Sequence, residues 1–129
     1  MRVNRPLVKV RQLIFGKKGV VSLASVRPDD CFIVSYPKSG STWMRHMLAV
    51  LKSKKSNVGL SEMEALIPNL NIASAKLLEA LPSPRIMKTH AVLTPSYKRV
   101  VYIVRDPRDV AVSYWHHQRR AFMKSKRDL

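Results

Sequence analysis

Short apolar runs alternate along this chain with stretches of helical spacing, and the alternation predicts strands separated by helices. Cys31-Phe32-Ile33-Val34-Ser35 is apolar almost throughout, and the turn Arg27-Pro28-Asp29-Asp30 leads into it, so it reads as the first core strand. Ser41 to about Ser53 reads as a helix. Trp43, Met47, Val50 and Leu51 fall close to one stripe, with Met44 and Leu48 beside it, and Lys52, Lys54 and Lys55 follow at the end where cations suit the dipole. Ser61 and Glu64 have capping-box spacing for a short helix closed by Pro68. Ile72 to Leu81 is a further helical pattern, stopped by Pro82-Ser83-Pro84.

Arg85-Ile86-Met87-Lys88-Thr89 predicts a second strand ending in His90, and Arg99 to Val104 a third after a turn at Thr94-Pro95. Asp106 is then placed to cap a helix with Pro107 at its first position, running through Val110, Tyr114 and Phe122. Strands alternating with helices imply an α/β fold with a parallel sheet covered by helices. Residues 1–27 are basic and irregular, broken at Gly16-Lys17-Lys18-Gly19, and read as an arm with a short ordered piece around Leu13-Ile14-Phe15. No internal repeat or low-complexity tract interrupts this pattern.

Chemistry concentrates where two of the strands end. Tyr36-Pro37-Lys38-Ser39-Gly40-Ser41-Thr42-Trp43 passes from strand to helix through one of only four glycines, with two hydroxyls and an ammonium beside the helix start. Backbone N–H groups at such a corner suit a phosphate or sulfate. An ordinary strand-to-helix turn also needs a glycine and a cap, so the loop alone leaves both readings open. It does not fit the G-x-x-x-x-G-K-[ST] pattern, and G-x-G-x-x-G is absent. Arg105, in Val104-Arg105-Asp106-Pro107-Arg108-Asp109-Val110, repeats the strand-to-helix logic and reads equally as an anion ligand or a solvated strand end. Two anion corners on one sheet imply a ligand charged at two positions.

Composition narrows the partners. With 129 residues and 46% hydrophobic residues the chain suits one folded domain, and its net charge of +16 attracts polyanions: nucleic acid, acidic lipid or phosphorylated small molecules. Basic tails and solvated helix faces account for part of that charge. Cys31 is the single cysteine, which excludes an intrachain disulfide and reads as a buried inert thiol. No apolar run approaches the roughly 18 residues of a membrane span, and the basic start leads into no secretory apolar segment, so a cytoplasmic location is expected.

Taken together, the motifs resemble those of the sulfotransferases that use 3′-phosphoadenosine-5′-phosphosulfate (PAPS). The Tyr36–Trp43 loop looks like that family's 5′-phosphosulfate-binding loop. Arg105, eight residues before Ser113, is similar to its 3′-phosphate-binding segment, and Lys88-Thr89-His90 is similar to its catalytic Lys-Thr-His stretch. The resemblance covers roughly Asp30 to Phe122. It implies a three-layer α/β/α fold with a central parallel sheet and a P-loop-like nucleotide-binding core, residues 28–129 forming the amino-terminal portion of the catalytic domain.

The resemblance also assigns roles. Lys38, Ser39, Gly40, Ser41 and Thr42 are expected to hold the 5′-phosphosulfate, Trp43 to stack on the adenine, and Arg105 and Ser113 to bind the 3′-phosphate. On residues alone, Trp43 reads as core packing beside Met47. His90 is expected as the general base on a hydroxyl or amine acceptor, with Lys88 and Lys38 stabilising charge on the transferred group. PAPS is the implied donor and 3′-phosphoadenosine-5′-phosphate (PAP) the product, with no metal. His116 and His117 face different directions on a helix and read as neither catalytic nor a metal pair.

Two departures stand out. Ser41 replaces the more usual Thr, which keeps the hydroxyl. The family's later Arg-Lys-Gly segment has no counterpart here, and family members are about twice as long. That predicts an incomplete domain, a truncated product being favoured over a site completed by a partner chain. It also predicts weak nucleotide binding, poor transfer by the chain alone and self-association through exposed apolar surface. The competing reading is a basic nucleic-acid-binding module, disfavoured because no such fold signature appears and aromatics do not interleave with the basic clusters. A P-loop kinase relative is disfavoured because the lysine precedes the glycine.

Overall fold

In the computed structural model, which describes residues 26–91 and 95–125, strands β1 (Cys31–Ser35), β2 (Ile86–Thr89) and β3 (Arg99–Ile103) form a parallel sheet in the order β2-β1-β3. Helices α1 (Ser41–Ser53), α2 (Leu60–Leu66) and α3 (Ala75–Ala80) lie between β1 and β2, and α4 (Pro107–Ser125) follows β3. Most of the expected basic arm, and Thr94 of the expected turn, lie outside the described residues.

Alternation along β1 divides the core in two, as expected for a strand covered on both faces. Phe32 and Val34 pack on one face with Met87, Leu70 and Leu78 of α3, and the Tyr97 ring stacks on Phe32 with centroids 3.9 Å apart. Ile33 packs on the other face with Ala49 of α1, Met63 of α2, Val58 and Ile67. Helices therefore cover both faces of the sheet, giving three layers. The register pairs Ile33 with Lys88 and Phe32 with Met87, so Lys88 shares the α1/α2 face. On β3 the side chains of Val100, Val101 and Tyr102 remain exposed. Cys31 is only partly buried, yet desolvation still raises its pKa against the opposing pull of Arg99, so the thiol stays protonated at neutral pH.

Several sequence expectations are corrected in detail. The buried face of α1 is Ser41, Arg45 and Ala49, while Trp43, Met47 and Leu51 point to solvent. Of the expected stripe Val50, with Met44 and Leu48 beside it, packs against the core, and the buried Arg45 is matched by Glu64, with Arg45 Nη2 to Glu64 Oε1 at 2.7 Å. Gly59, not Ser61, precedes α2, and Glu64 makes no cap there. The helix expected over Ile72–Leu81 is confined to Ala75–Ala80, because the Asn69 carbonyl accepts from the N–H groups of Ile72 and Ala73 and folds that stretch into a turn. Ser74 Oγ then caps α3 by accepting from Leu77 N at 3.2 Å. At α4 the expectation agrees with the structure: Asp106 Oδ1 accepts from Arg108 N at 2.9 Å and its carbonyl from Val110 N at 3.0 Å.

Candidate functional site

Parallel strands end on one edge of the sheet, and here the chain passes from β1 to β2 on one side and then crosses past β1 to β3 on the other. Such a switch point leaves a crevice beyond the strand ends where ligands of open α/β sheets bind. Pairing of Val34 with Thr89 and of Ser35 with Ile103 brings the loop after β1 between His90 and Arg105.

The loop turns through two left-handed residues, Lys38 at φ 71° and Gly40 at φ 104°. Ser39 N donates to the Tyr36 carbonyl at 3.2 Å, closing the turn. A Cβ on Gly40 would meet nothing within 4 Å, so backbone conformation rather than space calls for glycine there. Gly40 also precedes α1 without a side-chain cap, and the first turn of α1 holds no acidic residue. The first intrahelical bond runs from Met44 N to Gly40 O at 3.2 Å. The N–H groups of Ser41, Thr42 and Trp43 therefore have no intrahelical acceptor, and the helix dipole adds positive potential at the same point.

A cleft of about 610 Å³ opens above this corner. Lys38, Gly40, Ser41, Thr42, Trp43, Lys88, His90, Arg105 and Ser113 all line it. Ser39, expected beside them, is buried and faces a separate apolar groove between β3 and α4. Trp43 is 76% exposed, which rules out the core-packing reading of that ring. Among the described residues lining the cleft none is acidic, and Lys38, Arg45, Lys88 and Arg105 are cations.

The two strand-to-helix corners meet. Arg105 Nη1 donates to the Lys38 carbonyl at 3.2 Å, while Arg105 Nε lies 3.7 Å from the Asp109 carboxylate one helical turn on. On the other side, His90 Nδ1 lies 2.7 Å from the Ser35 carbonyl oxygen, which can only accept. Nδ1 must therefore carry the proton, and Nε2 of the neutral ring holds the free lone pair. Burial, reinforced by the Lys88 charge and opposed by the Ser35 bond, lowers the His90 pKa below its ordinary value, so the ring is neutral at pH 7. Lys88 is buried with Nζ 3.5 Å from Asn69 Oδ1. Burial first, then the Arg45 charge, against the pull of Glu64, brings its pKa down to about 8.

Sequence reasoning missed Arg45, Asn69, Tyr114, His117 and Gln118, which also line the cleft. Of these, His117 alone carries a sequence expectation about chemistry, that of a non-catalytic residue. It borders the cleft, whereas His116 packs edge-on against the Trp115 ring at 4.8 Å, so the pair does diverge. Among the described residues no cluster of three or more His, Cys, Asp or Glu could hold a metal ion, and no helix is long and apolar enough to cross a membrane.

Comparison with known proteins finds relatives over most of the chain. A family profile described as Sulfotransferase domain matches residues 28–129. The chain is 37% identical to Sulfotransferase 1B1 of Canis lupus familiaris, over 70% of this chain and 36% of that protein. It is 36% identical to Sulfotransferase 1 family member D1 of Mus musculus, over 74% of this chain and 37% of that protein. With Sulfotransferase 1A1 of Rattus norvegicus the identity is 35%, over 69% of this chain and 36% of that protein. The chain thus spans little more than a third of the length of these curated relatives.

Proposed function

The chain belongs to the sulfotransferase domain family, and from that premise we propose that its cleft binds PAPS and serves transfer of the sulfuryl group to a hydroxyl or amine of a small molecule. The residues present fit such a donor. The uncapped start of α1 and the left-handed Lys38–Gly40 turn suit the 5′-phosphosulfate, and a cleft of about 610 Å³ suits a nucleotide. The observation that supports the reading is the hydrogen bond from Arg105 to the Lys38 carbonyl, since it sets the two strand-to-helix corners side by side on one cleft.

In this reading Arg105 and Ser113 take the 3′-phosphate, the loop N–H groups with Ser41 and Thr42 take the 5′ end, and Trp43 offers its exposed face to the adenine. His90 Nε2 accepts the acceptor's proton as that oxygen or nitrogen bonds to sulfur. The bond between sulfur and the bridging oxygen breaks, and its electron pair stays on that oxygen, leaving PAP. Lys38 and Lys88 stabilise the negative charge that gathers there. The protein's contribution is mainly position and electrostatics.

Calorimetric titration of the purified chain with PAP, and separately with an oligonucleotide at several salt concentrations, tests this. Saturable PAP binding is expected, weakened roughly 10- to 100-fold in Arg105→Ala. His90→Ala is expected to keep PAP affinity within about threefold while any transfer falls by about two orders of magnitude or more. Oligonucleotide binding with a steep salt slope and no preference for PAP would overturn the reading in favour of a nucleic-acid module.

A further inference from the structure

Beneath the cleft lies a group of polar side chains that the proposed chemistry does not use. Arg45, on the buried face of α1, donates through Nε and Nη2 to the Ile67 carbonyl at 3.0 and 2.7 Å. Its Nη2 also meets Glu64 Oε1 of α2 at 2.7 Å. The other Glu64 oxygen, Oε2, accepts from Asn69 N at 3.1 Å. Asn69 in turn lies beside Lys88: their backbones form a parallel bridge, Lys88 N donating to Pro68 O and Leu70 N to Lys88 O, each at 2.9 Å. Asn69 Oδ1 is 3.5 Å from Lys88 Nζ.

One carboxylate thus joins two helices and the 67–70 segment around one lysine. Mid-helix burial of an arginine is costly unless it is paired, and Glu64 is the acidic partner that Arg45 has among the described residues. We propose that Glu64 is a positioning residue of the cleft: by neutralising Arg45 and clamping Asn69, it holds Lys88 Nζ in place and charged at the cleft floor. Lys88 faces Arg45 from α1, Glu64 from α2 and His90 beyond the end of its own strand, while Lys38 and Arg105 line the same cleft. Glu64 is the acid in that group, and its charge favours the proton on Lys88 against burial and Arg45. The depressed pKa of Lys88, with Arg45 lowering it and Glu64 raising it, agrees with this arrangement.

The inference rests on the PAPS reading only for what Lys88 binds, so its test reads the lysine directly. Lys88 is titrated in the folded chain by NMR of ¹³Cε-labelled lysine, the signal being assigned by its loss in Lys88→Met. Glu64→Gln keeps hydrogen-bonding atoms but removes the charge, and is expected to move the Lys88 midpoint down by about half a pH unit or more. Arg45→Met is expected to move it up by a similar amount, and the double variant to return it near the original. A packing role alone would not give opposite signs. PAP affinity is expected to begin its fall at correspondingly lower pH in Glu64→Gln.

Midpoints that coincide in all these chains overturn the positioning role. Should Glu64→Gln not fold, the upward move in Arg45→Met decides, and its absence overturns the proposal equally. Lys88 midpoints that shift as expected in a chain with no PAP binding leave the positioning role standing and sink the nucleotide reading.

Discussion

The two ends of the sheet are built on opposite principles. At the amino ends of the strands, charge is matched. Asp30 accepts from Arg85 Nε at 2.8 Å, from Arg85 Nη2, and from Arg27 N at 2.7 Å, and Arg85 Nη1 donates to the Leu78 carbonyl at 3.0 Å. The Arg27 guanidinium reaches the carbonyls of Leu81 and Glu79 at 2.8 and 3.0 Å. At the carboxyl ends, four cations and an uncapped helix start line a cleft with no acidic side chain among its described lining residues. Donors at the amino end have acceptors within the chain, whereas at the carboxyl end Arg45 is matched by Glu64 but the first N–H groups of α1 are left without an intrahelical acceptor beside the cleft. The difference separates what holds the fold from what the fold presents.

The largest expected effect comes from breaking the matched end. Asp30→Ala removes the carboxylate facing a nearly fully buried Arg85 and is expected to cost about 3–5 kcal/mol of stability. Domains commonly have only about 5–15 kcal/mol in all, so the urea midpoint should drop sharply or folding should fail. A guanidinium is intrinsically too basic to lose its proton near neutral pH, so Arg85 stays charged in the variant and cannot escape by neutralising; in the parent chain the Asp30 hydrogen bond raises its pKa first and burial opposes it. A loss below about 1 kcal/mol would show that the amino end does not depend on this pair.

The unmatched end should respond with the opposite sign. Lys88 is buried and its pKa is lowered to about 8, so at neutral pH the folded chain carries a charge it would rather release. Between about pH 8 and 10.5 the unfolded chain binds more protons than the folded one, so stability rises with pH across that window, and below it the full cost remains. Lys88→Met is therefore expected to stabilise the chain by roughly 1–3 kcal/mol at pH 7 and to abolish the alkaline rise. PAP affinity should fall in the same variant. Urea melts at pH 7 and pH 10 check both signs, and destabilisation at pH 7 would mean that Lys88 serves the fold after all.

Much of this contrast was legible in the residues, though unevenly. β1 and the loop after it read clearly because a strand covered on both faces is apolar throughout, and because Gly40 marks a sharp strand-to-helix turn there. Lys88, His90 and Arg105 were legible through the resemblance of their motifs to the family's, and parallel strands ending on one edge explain why they line one cleft. The orientation of α1 was not. Arg45 looks like a solvated helix residue until Glu64, nineteen positions on and in another helix, is known to meet it. Glu64 itself was given to a helix cap because capping spacing is local, while its actual partners, Arg45 and Asn69, are set by tertiary packing. Asn69 carries no sequence signal at all, since its role comes from lying beside β2.

Trp43 gives the smallest expected change in stability and the sharpest separation of the two ends. It sits in the first turn of α1 with 76% of its surface exposed, one turn before Met47 and two before Leu51, which are exposed as well. Little apolar area leaves water there on folding, so Trp43→Ala should change stability by no more than about 0.5 kcal/mol. Alanine also favours the helix slightly over tryptophan, which reduces even that cost. Base–aromatic stacking is worth about 1–3 kcal/mol, so the same variant should weaken PAP binding by roughly 5- to 150-fold. An aromatic ring that contributes almost nothing to folding and much to nucleotide affinity would set the carboxyl end apart as a surface kept open for a ligand. A loss of stability above about 1.5 kcal/mol with unchanged PAP affinity would instead return Trp43 to the core, and with it the contrast between the two ends of the sheet would fail.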